Sequence, residues 1–199
     1  MSVATSIDTS KTVKDWTLDK LDWQPWVETI DTQHLTPDQT AVLSEAPGGL
    51  EKIGAYYATL AHEPIILRER TRLFNAVMYG RGGAARAVRE LSAVAGSRVN
   101  GCVYCASVHA RLYNDLTHTT DVIERIFKEG VTAHMEPRER AIVDFSVKLT
   151  QAPDAIAPED LAPLRTAGFG DLEILDIIHA VAMFAWANRL LQTLGQPVR

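Results

Sequence analysis

The sequence has little of what marks secreted, membrane-spanning or nucleic-acid-binding proteins. Two cysteines in 199 residues are too few to cross-link a secreted domain of this size. The polar stretch 1–10 lacks the apolar segment of a signal peptide, and the longest apolar run, 180–187, is too short to span a membrane. No run of lysine and arginine occurs, and the net charge is −5. We therefore expect a soluble cytoplasmic protein that binds neither membranes nor nucleic acids.

The sequence also lacks the alternation of polar and apolar residues that marks half-buried strands. Apolar residues instead recur at helical spacing, as at Val88, Leu91, Val94 and Ala95. Together with proline and glycine breaks, this spacing predicts helices at residues 36–46, 50–60, 64–79, 84–97, 102–113, 120–129, 137–151, 158–166 and 171–194. The last segment is the most apolar, so we expect it to be a central, buried helix. The sequence thus predicts an all-α bundle of about eight helices.

At this length we expect one domain, preceded by an N-terminal arm. Residues 1–35 are irregular and contain Trp16, Trp23 and Trp26, so we assign them to the arm. Aromatic residues often anchor interfaces, and these three are expected to dock on the helical body or on a neighbouring subunit. Residues 36–199 then form the helical domain.

The two cysteines lie close together, in a segment that reads GCVYCASVH over residues 101–109. On a helix, Cys105 lies about 60° from Cys102, and His109 about 40° from Cys105, so the three share one face. Cys102 falls in the first turn, where free backbone N–H groups and the helix dipole stabilise a thiolate. A thiol pKa of about 6 instead of about 8.5 would raise the thiolate fraction at neutral pH from about 3% to about 90%. The spacing indicates a redox-active or metal-binding pair, with His109 able to accept or return a proton.

Glu90 is the only acid between residues 84 and 99, and it borders the apolar face of its predicted helix. A carboxyl group in that position would have a raised pKa and could exchange protons with a neighbouring thiol. The commoner alternative is a charge on the helix surface, paired with Arg86 or flanked by Arg89 in solvent. Spacing alone leaves both interpretations open.

These residues resemble the signature of the carboxymuconolactone decarboxylase superfamily, in particular its AhpD-like alkylhydroperoxidase and peroxidase-related branch. In that signature a Cys-x-x-Cys pair begins twelve positions after a glutamate, and a histidine follows the second cysteine by four positions. Glu90, Cys102, Cys105 and His109 have this spacing, and the resemblance is specific over residues 84–113. It implies the AhpD-like helical fold and a homo-oligomer.

The resemblance further implies a thiol peroxidase that needs no cofactor and no metal. Cys105 would be the peroxidatic thiolate, Glu90 and His109 would relay protons, and Cys102 would resolve the sulfenic acid as a disulfide. An external dithiol, lipoyl or thioredoxin-like, would reduce that disulfide. The helix-terminus argument, by contrast, favours Cys102 as the thiolate. Tyr104 is a departure, since some alkylhydroperoxidases have a second histidine there and a tyrosine carries protons poorly at neutral pH.

Other functions stay open on the sequence alone. Both thiols, His109 and Glu90 could supply zinc with four ligands, although one helix presents three of them in a nearly straight row. The superfamily's lactone decarboxylases are a second alternative, although that branch does not depend on the cysteine pair. A third alternative is a redox-regulated scaffold whose disulfide controls assembly and which has no catalytic activity. His179, in the apolar last segment, is expected to be a core or interface histidine.

Overall fold

The computed structural model describes residues 7–199, so the first six residues of the predicted arm and of the polar N-terminal stretch lie outside the described part. Over that part the chain forms nine α-helices and two short strands, which confirms the all-α prediction. The helices are α1 (Pro37–Ser44), α2 (Ala55–Leu60), α3 (Pro64–Tyr79), α4 (Arg86–Val99), α5 (Val103–Thr117), α6 (Asp121–Glu129), α7 (Pro137–Gln151), α8 (Ala162–Thr166) and α9 (Asp171–Leu194). The strands are β1 (Asp22–Pro25) and β2 (Gly195–Val198).

The first helix begins where local capping signals predict it. The Thr36 hydroxyl accepts the backbone N–H of Gln39 at 3.2 Å, and Gln39 Oε1 accepts the backbone N–H of Thr36 at 2.9 Å. Pro37 fills the first turn, where its missing N–H costs no hydrogen bond. This reciprocal cap satisfies two backbone donors that a helix start otherwise leaves unpaired.

Two predicted helices are shorter than expected. The segment 50–60 is helical only from Ala55, because Gly49–Glu51 forms a 3-10 turn and the α-helix starts after it. The segment 158–166 begins as a 3-10 turn over Pro158–Leu161, and α8 follows from that turn. The hydrophobic spacing is similar in the two kinds of helix, so it does not distinguish them.

Helix α4 forms the centre of the bundle. Every residue from 88 to 97 is buried, and the helix packs against α5, α7 and α9. A side chain on any face of α4 is therefore enclosed by protein. This central position removes Glu90 from solvent and turns it towards the helix that carries the cysteines.

The prediction that the most apolar helix is the central, buried one is wrong. By length and composition α9 could cross a membrane, but half of its apolar window is buried against the bundle, as in a core helix. The opposite face keeps Leu172, Leu175 and Trp186 exposed. His179 lies on this exposed face and is therefore not a core histidine, while its place at an interface stays a prediction. The helical period places these residues on the side away from α4.

The two ends of the described chain meet in a ribbon that the sequence analysis did not predict. Strands β1 and β2 pair antiparallel, and Trp23 of β1 is buried against the body. Its indole N–H donates to the Leu191 carbonyl at 3.0 Å, and its ring lies where a Cβ at Gly195 would be. Strands of four residues that contain glycine and proline are too short to show an alternating pattern.

The other two arm tryptophans differ in their surroundings. The Arg98 guanidinium carbon lies 4.2 Å from the Trp16 ring centroid, so Trp16 also contacts the helical body. Trp26, in contrast, remains 40% exposed. Trp23 is thus the arm tryptophan that is buried in this structure.

Replacing Trp23 with phenylalanine is expected to lower the free energy of unfolding by about 1–2 kcal/mol. The smaller ring leaves the Leu191 carbonyl without its donor and loses part of the buried contact. Urea unfolding of the variant and the wild type measures the difference. Trp26→Phe is the matched control at an exposed position, with an expected change within about 0.5 kcal/mol. Equal losses in the two variants would contradict the docking of Trp23.

Candidate functional site

A tight turn between α4 and α5 brings the predicted site residues together. Gly101 has a φ of +75°, a conformation that glycine adopts without the steric cost of a side chain. Cys102 follows as the N-cap residue of α5, and its backbone N–H donates to the Ser97 carbonyl at 2.9 Å. The chain reverses within these residues, so the first turns of α5 pack along α4.

The four predicted site residues form two contacting pairs. Cys102 and Cys105 are free thiols, 2% and 3% exposed, that lie together at the start of α5, and each shifts the pKa of the other. His109 Nδ1 and Glu90 Oε2 are 2.5 Å apart, across the interface between α5 and α4. Cys105 and His109 lie one turn apart on α5 and line the same cavity, which links the two pairs.

Glu90 has two partners and no exposed surface. Arg86 Nε donates to one carboxylate oxygen and His109 to the other. Burial would raise the pKa of Glu90, but the charges and hydrogen bonds of His109 and Arg86 outweigh it and lower the pKa below its ordinary value. The expectation of a raised pKa is therefore wrong, because it omitted a buried cationic partner. The alternative of a surface ion pair correctly predicted Arg86 as the partner of Glu90, but the Glu90 carboxylate is buried and does not lie on the surface.

Arg89 is not a solvent-flanking charge. It is 3% exposed, and its guanidinium donates to the carbonyls of Gly80 and Gly82 at 2.9 and 2.8 Å. The same group pairs with Asp176 Oδ2 at 2.7 Å. Arg89 thus fastens the connection between α3 and α4 to α9, which holds the start of α4 in place.

The two thiols differ in acidity. The neighbouring Cys105 side chain, the backbone N–H groups of Cys105 and Tyr104 and the Asn188 amide together outweigh burial and lower the pKa of Cys102. Burial, and then the neighbouring Cys102, raise the pKa of Cys105 well above its ordinary value. Cys102 is therefore the more acidic of the two thiols. The helix-terminus argument favours the same order.

This difference predicts opposite titrations for the two single-cysteine variants. Cys105→Ser keeps an O–H donor next to Cys102, so its thiolate is expected to form below the ordinary thiol pKa. Cys102→Ser leaves the buried Cys105, whose thiolate is expected only above that value. The Cys105→Ser curve should lie at lower pH than the Cys102→Ser curve, measured by thiolate absorbance and alkylation rate against pH. Coincident titration curves would contradict the assignment.

Asn188 contacts both sulfurs, and the sequence analysis did not single it out. It lies on α9 without exposed surface and lowers the pKa of both Cys102 and Cys105. Its Nδ2 donates to Ser97 Oγ at 3.1 Å, and its Oδ1 accepts from Asn100 Nδ2 at 3.0 Å. An amide on the apolar face of α9, in line with Phe184 and Leu191, is the signal that could have identified it, because buried polar groups require partners.

The cavity beside Cys105 has a volume of about 550 Å³, within the usual range for a small-molecule site. Its wall includes His109 and the ring of Phe184, whose centroids are 4.3 Å apart. Because Nδ1 of His109 is bonded to Glu90, Nε2 is the ring nitrogen left for a ligand. A molecule in this cavity can therefore meet a thiol and a histidine together.

Cys102 lines a second and smaller cavity, of about 310 Å³. Arm residues, among them Val13 and Lys14, form one part of its wall, and residues of β2 form another. Tyr104 borders both cavities, and burial raises its pKa. The two sulfurs of one pair are thus approached through different openings.

Within residues 7–199, no group of three or more histidine, cysteine, aspartate or glutamate side chains is arranged to hold a metal ion. Both oxygens of Glu90 are engaged by Arg86 and His109, and Nδ1 of His109 is engaged by Glu90. A four-ligand zinc site would need the Glu90 carboxylate to converge with the two sulfurs, but these contacts hold it against Arg86 and His109.

The family model for the carboxymuconolactone decarboxylase family matches residues 64–147. This segment runs from the start of α3 into α7 and contains Glu90, both cysteines and His109. The chain matches no curated protein.

Solved structures extend the similarity beyond that segment. An uncharacterized peroxidase-related protein from Ralstonia eutropha JMP134, described as an alkylhydroperoxidase AhpD core, is 27% identical, with 87% of this chain and 91% of that chain covered and a TM-score of 0.76. A peroxidase-related protein from Silicibacter sp. TM1040 is 24% identical, with 97% and 94% covered and a TM-score of 0.68. The debrominase Bmp8 is 17% identical, with 79% and 83% covered and a TM-score of 0.64.

The family match covers the helices that carry the site, and the structural matches extend the common fold over most of the chain. Residues 64–147 thus match the carboxymuconolactone decarboxylase family model, and the chain has the fold of AhpD-like, peroxidase-related proteins.

Proposed function

We propose that the protein is a thiol-dependent hydroperoxide reductase that cycles Cys102 and Cys105 between dithiol and disulfide. One arrangement carries the proposal: two contacting thiols of unlike acidity, one of which shares a cavity with a histidine held by a buried carboxylate. The similarity to peroxidase-related proteins of the same fold supports the reaction class. The debrominase of this fold shows that the fold alone does not determine the reaction.

Cys105 is the attacking sulfur in this proposal, because it lines the cavity that His109 also lines. Its Sγ forms a bond to one peroxide oxygen as the O–O bond breaks, and its proton passes to the Cys102 thiolate. His109 donates a proton from Nε2 to the leaving alkoxide, and ionised Glu90 balances the charge that His109 carries beforehand. The products are an alcohol and a sulfenic acid on Cys105.

Cys102 then resolves the sulfenic acid. Its sulfur attacks Cys105 Sγ, the S–O bond breaks, and hydroxide leaves with the Cys102 thiol proton as water. A lipoyl or thioredoxin-like dithiol restores both thiols through a mixed disulfide and becomes a disulfide itself. The net reaction converts a hydroperoxide and a dithiol into an alcohol, water and a disulfide. The cavity at Cys102 is the proposed entrance for the reductant.

Hydroperoxide consumption in the presence of dihydrolipoamide or reduced thioredoxin tests this function. Wild type should turn over, and Cys102→Ser, Cys105→Ser, Glu90→Gln and His109→Ala should each be slower. Four variants with wild-type rates would refute the peroxidase. Disulfide formation without turnover would instead favour a redox-regulated scaffold, and lactone decarboxylation that survives loss of both cysteines would favour the other branch of the family.

We further propose that the protein is a cytoplasmic homo-oligomer, assembled through the exposed faces of α3 and α9. Exposed apolar side chains follow both helices: Ile65, Ile66 and Leu73 on α3, and Leu172, Leu175 and Trp186 on α9. The two faces adjoin, because Ile66 and Trp186 line one surface cavity. Contiguous apolar patches of this kind commonly mark interfaces between subunits.

Leu175→Glu should reduce the mass of the assembly, because a charge in an apolar interface loses its hydration when subunits associate. Size-exclusion chromatography with light scattering measures the mass. Leu116→Glu, at another exposed leucine, is the matched control and should leave the mass unchanged. A wild-type protein that is monomeric at micromolar concentration would rule out the assembly.

A further inference from the structure

A buried arginine without a carboxylate partner lies in the wall of the Cys105 cavity. Arg70, on α3, is 6% exposed and lines this cavity. Its Nη1 donates to the Tyr57 hydroxyl at 2.8 Å, and its guanidinium carbon lies 4.7 Å from the Phe74 ring centroid. In the part of the chain that the structure describes, no carboxylate is within ion-pair distance of Arg70. Buried charges are normally paired, so this guanidinium is suited to an anion from outside the chain.

Tyr56 supplies a second unpaired polar group in the same cavity. It is 7% exposed, and its hydroxyl has no hydrogen-bond partner among the described residues. Its ring lies edge-on to Trp23, with centroids 5.5 Å apart, and 5.7 Å from the Arg70 guanidinium carbon. Burial raises the pKa of Tyr56, so the hydroxyl remains a neutral donor.

The rest of this wall is largely apolar, with Phe74, Phe184 and Leu191 among its residues. Such a cavity suits an organic molecule whose hydrocarbon part contacts the rings while one polar end meets Arg70 and Tyr56. A guanidinium presents paired N–H donors that match the two oxygens of a carboxylate. Arg70 and Cys105 line the same cavity, so one small molecule can meet both groups.

We propose that Arg70 and Tyr56 form a carboxylate-binding subsite, and that the preferred substrate is an organic hydroperoxide that carries a carboxylate. The carboxylate accepts hydrogen bonds from both residues, and the hydroperoxide end reaches Cys105 and His109. A neutral hydroperoxide of the same size would leave Arg70 and Tyr56 unpaired in a filled cavity, which is costly. The identity of the substrate rests on the proposed function, whereas anion binding by the subsite does not.

Ligand binding tests the subsite without any turnover. Isothermal titration calorimetry compares para-isopropylbenzoate with the neutral para-isopropylbenzamide. Wild type should bind the carboxylate at least about tenfold more tightly, and Arg70→Met should weaken carboxylate binding about 10- to 100-fold. Tyr56→Phe keeps the ring and its packing, and should weaken carboxylate binding about 3- to 10-fold. Equal affinities of wild type for the two ligands would overturn the subsite.

Arg72→Met is the matched control for charge. It removes an exposed cation from the same helix, whose partners Glu45 and Glu69 are also exposed, and both affinities should stay at their wild-type values. Near-ultraviolet circular dichroism checks that each variant is folded. A loss of carboxylate binding in Arg72→Met equal to that in Arg70→Met would overturn the subsite, because the effect would then be long-range.

Turnover separates the subsite from the proposed reaction. The substrates are cumene hydroperoxide with a para-carboxylate and the same molecule with a para-carboxamide. In wild type kcat/KM should favour the carboxylate, and Arg70→Met should lower that preference about 10- to 100-fold, chiefly through KM. Carboxylate binding without turnover of either hydroperoxide would keep the subsite and refute the reductase. Equal turnover of both substrates, without benzoate binding, would refute the subsite and keep the reductase.

Discussion

Cys105→Ser is expected to reduce steady-state hydroperoxide turnover by on the order of 10³-fold or more, because a serine hydroxyl cannot replace the attacking sulfur. Cys102→Ser should also stop turnover, but after about one equivalent of peroxide is consumed, since Cys105 can still be oxidised and has no partner to resolve it. Single-turnover peroxide consumption distinguishes the two variants. Mass spectrometry after dimedone treatment identifies the oxidised sulfur.

The opposite pattern would reverse the roles of the attacking and the resolving cysteine. A burst in Cys105→Ser, with the dimedone label on Cys102, would make the more acidic thiolate the attacking sulfur. The lowered pKa of Cys102, and not the position of His109, would then decide which sulfur attacks the peroxide. In wild type the Cys105 proton moves to Cys102 as the S–O bond forms, so Cys102 acts first as a base and later as a nucleophile. The burst in Cys102→Ser should therefore be slower than wild-type peroxide consumption, because that base is missing.

Glu90→Gln is expected to lower both activity and stability. Peroxide reduction should fall about 10²- to 10³-fold, because an amide neither balances the charge of His109 nor holds its ring in the same way. The free energy of unfolding should fall by about 3 kcal/mol at neutral pH, because Arg86 and His109 lose a buried anionic partner. Stopped-flow turnover and urea unfolding measure the two effects. Glu69→Gln, at an exposed ion pair, should change stability by less than about 0.5 kcal/mol.

The stability difference between wild type and Glu90→Gln should depend on pH. Folding lowers the pKa of Glu90, so its contribution is complete above the ordinary carboxyl pKa and is lost as pH falls through the folded value. The two proteins should therefore become more alike in acid. A difference that persists unchanged down to the acid transition would show that Glu90 is not ionised in the folded protein.

Most of the helices could be predicted because their signals are local. Thr36, Pro37 and Gln39 mark a helix start within four residues, and the spacing of Cys102, Cys105 and His109 places them on one face of a single helix. The strands β1 and β2 could not be predicted, because their pairing joins segments that are far apart in sequence and each has only four residues.

The site was predicted less completely than the fold, for two physical reasons. The protonation state of Glu90 depends on burial and on a cation that folds inward with it, and neither follows from helical spacing. Asn188, Tyr56 and Arg70 come from α9, α2 and α3, so only tertiary packing brings them to the cysteines. Arg70 lies on the same helical face as Leu67 and Phe74, which is a local sign that it is buried.

The ribbon of β1 and β2 gathers the two ends of the described chain beside the Cys102 cavity. The wall of the Cys102 cavity comes largely from the two ends of the described chain, whereas the family match covers α4 and α5, which hold the thiols, His109 and Glu90. In the proposed cycle the Cys102 cavity admits the reductant and the Cys105 cavity admits the hydroperoxide. Exchanging the chain ends between relatives, with Trp23 kept because it also lines the Cys105 cavity, would thus alter which electron donor docks and leave the oxidative half-reaction intact.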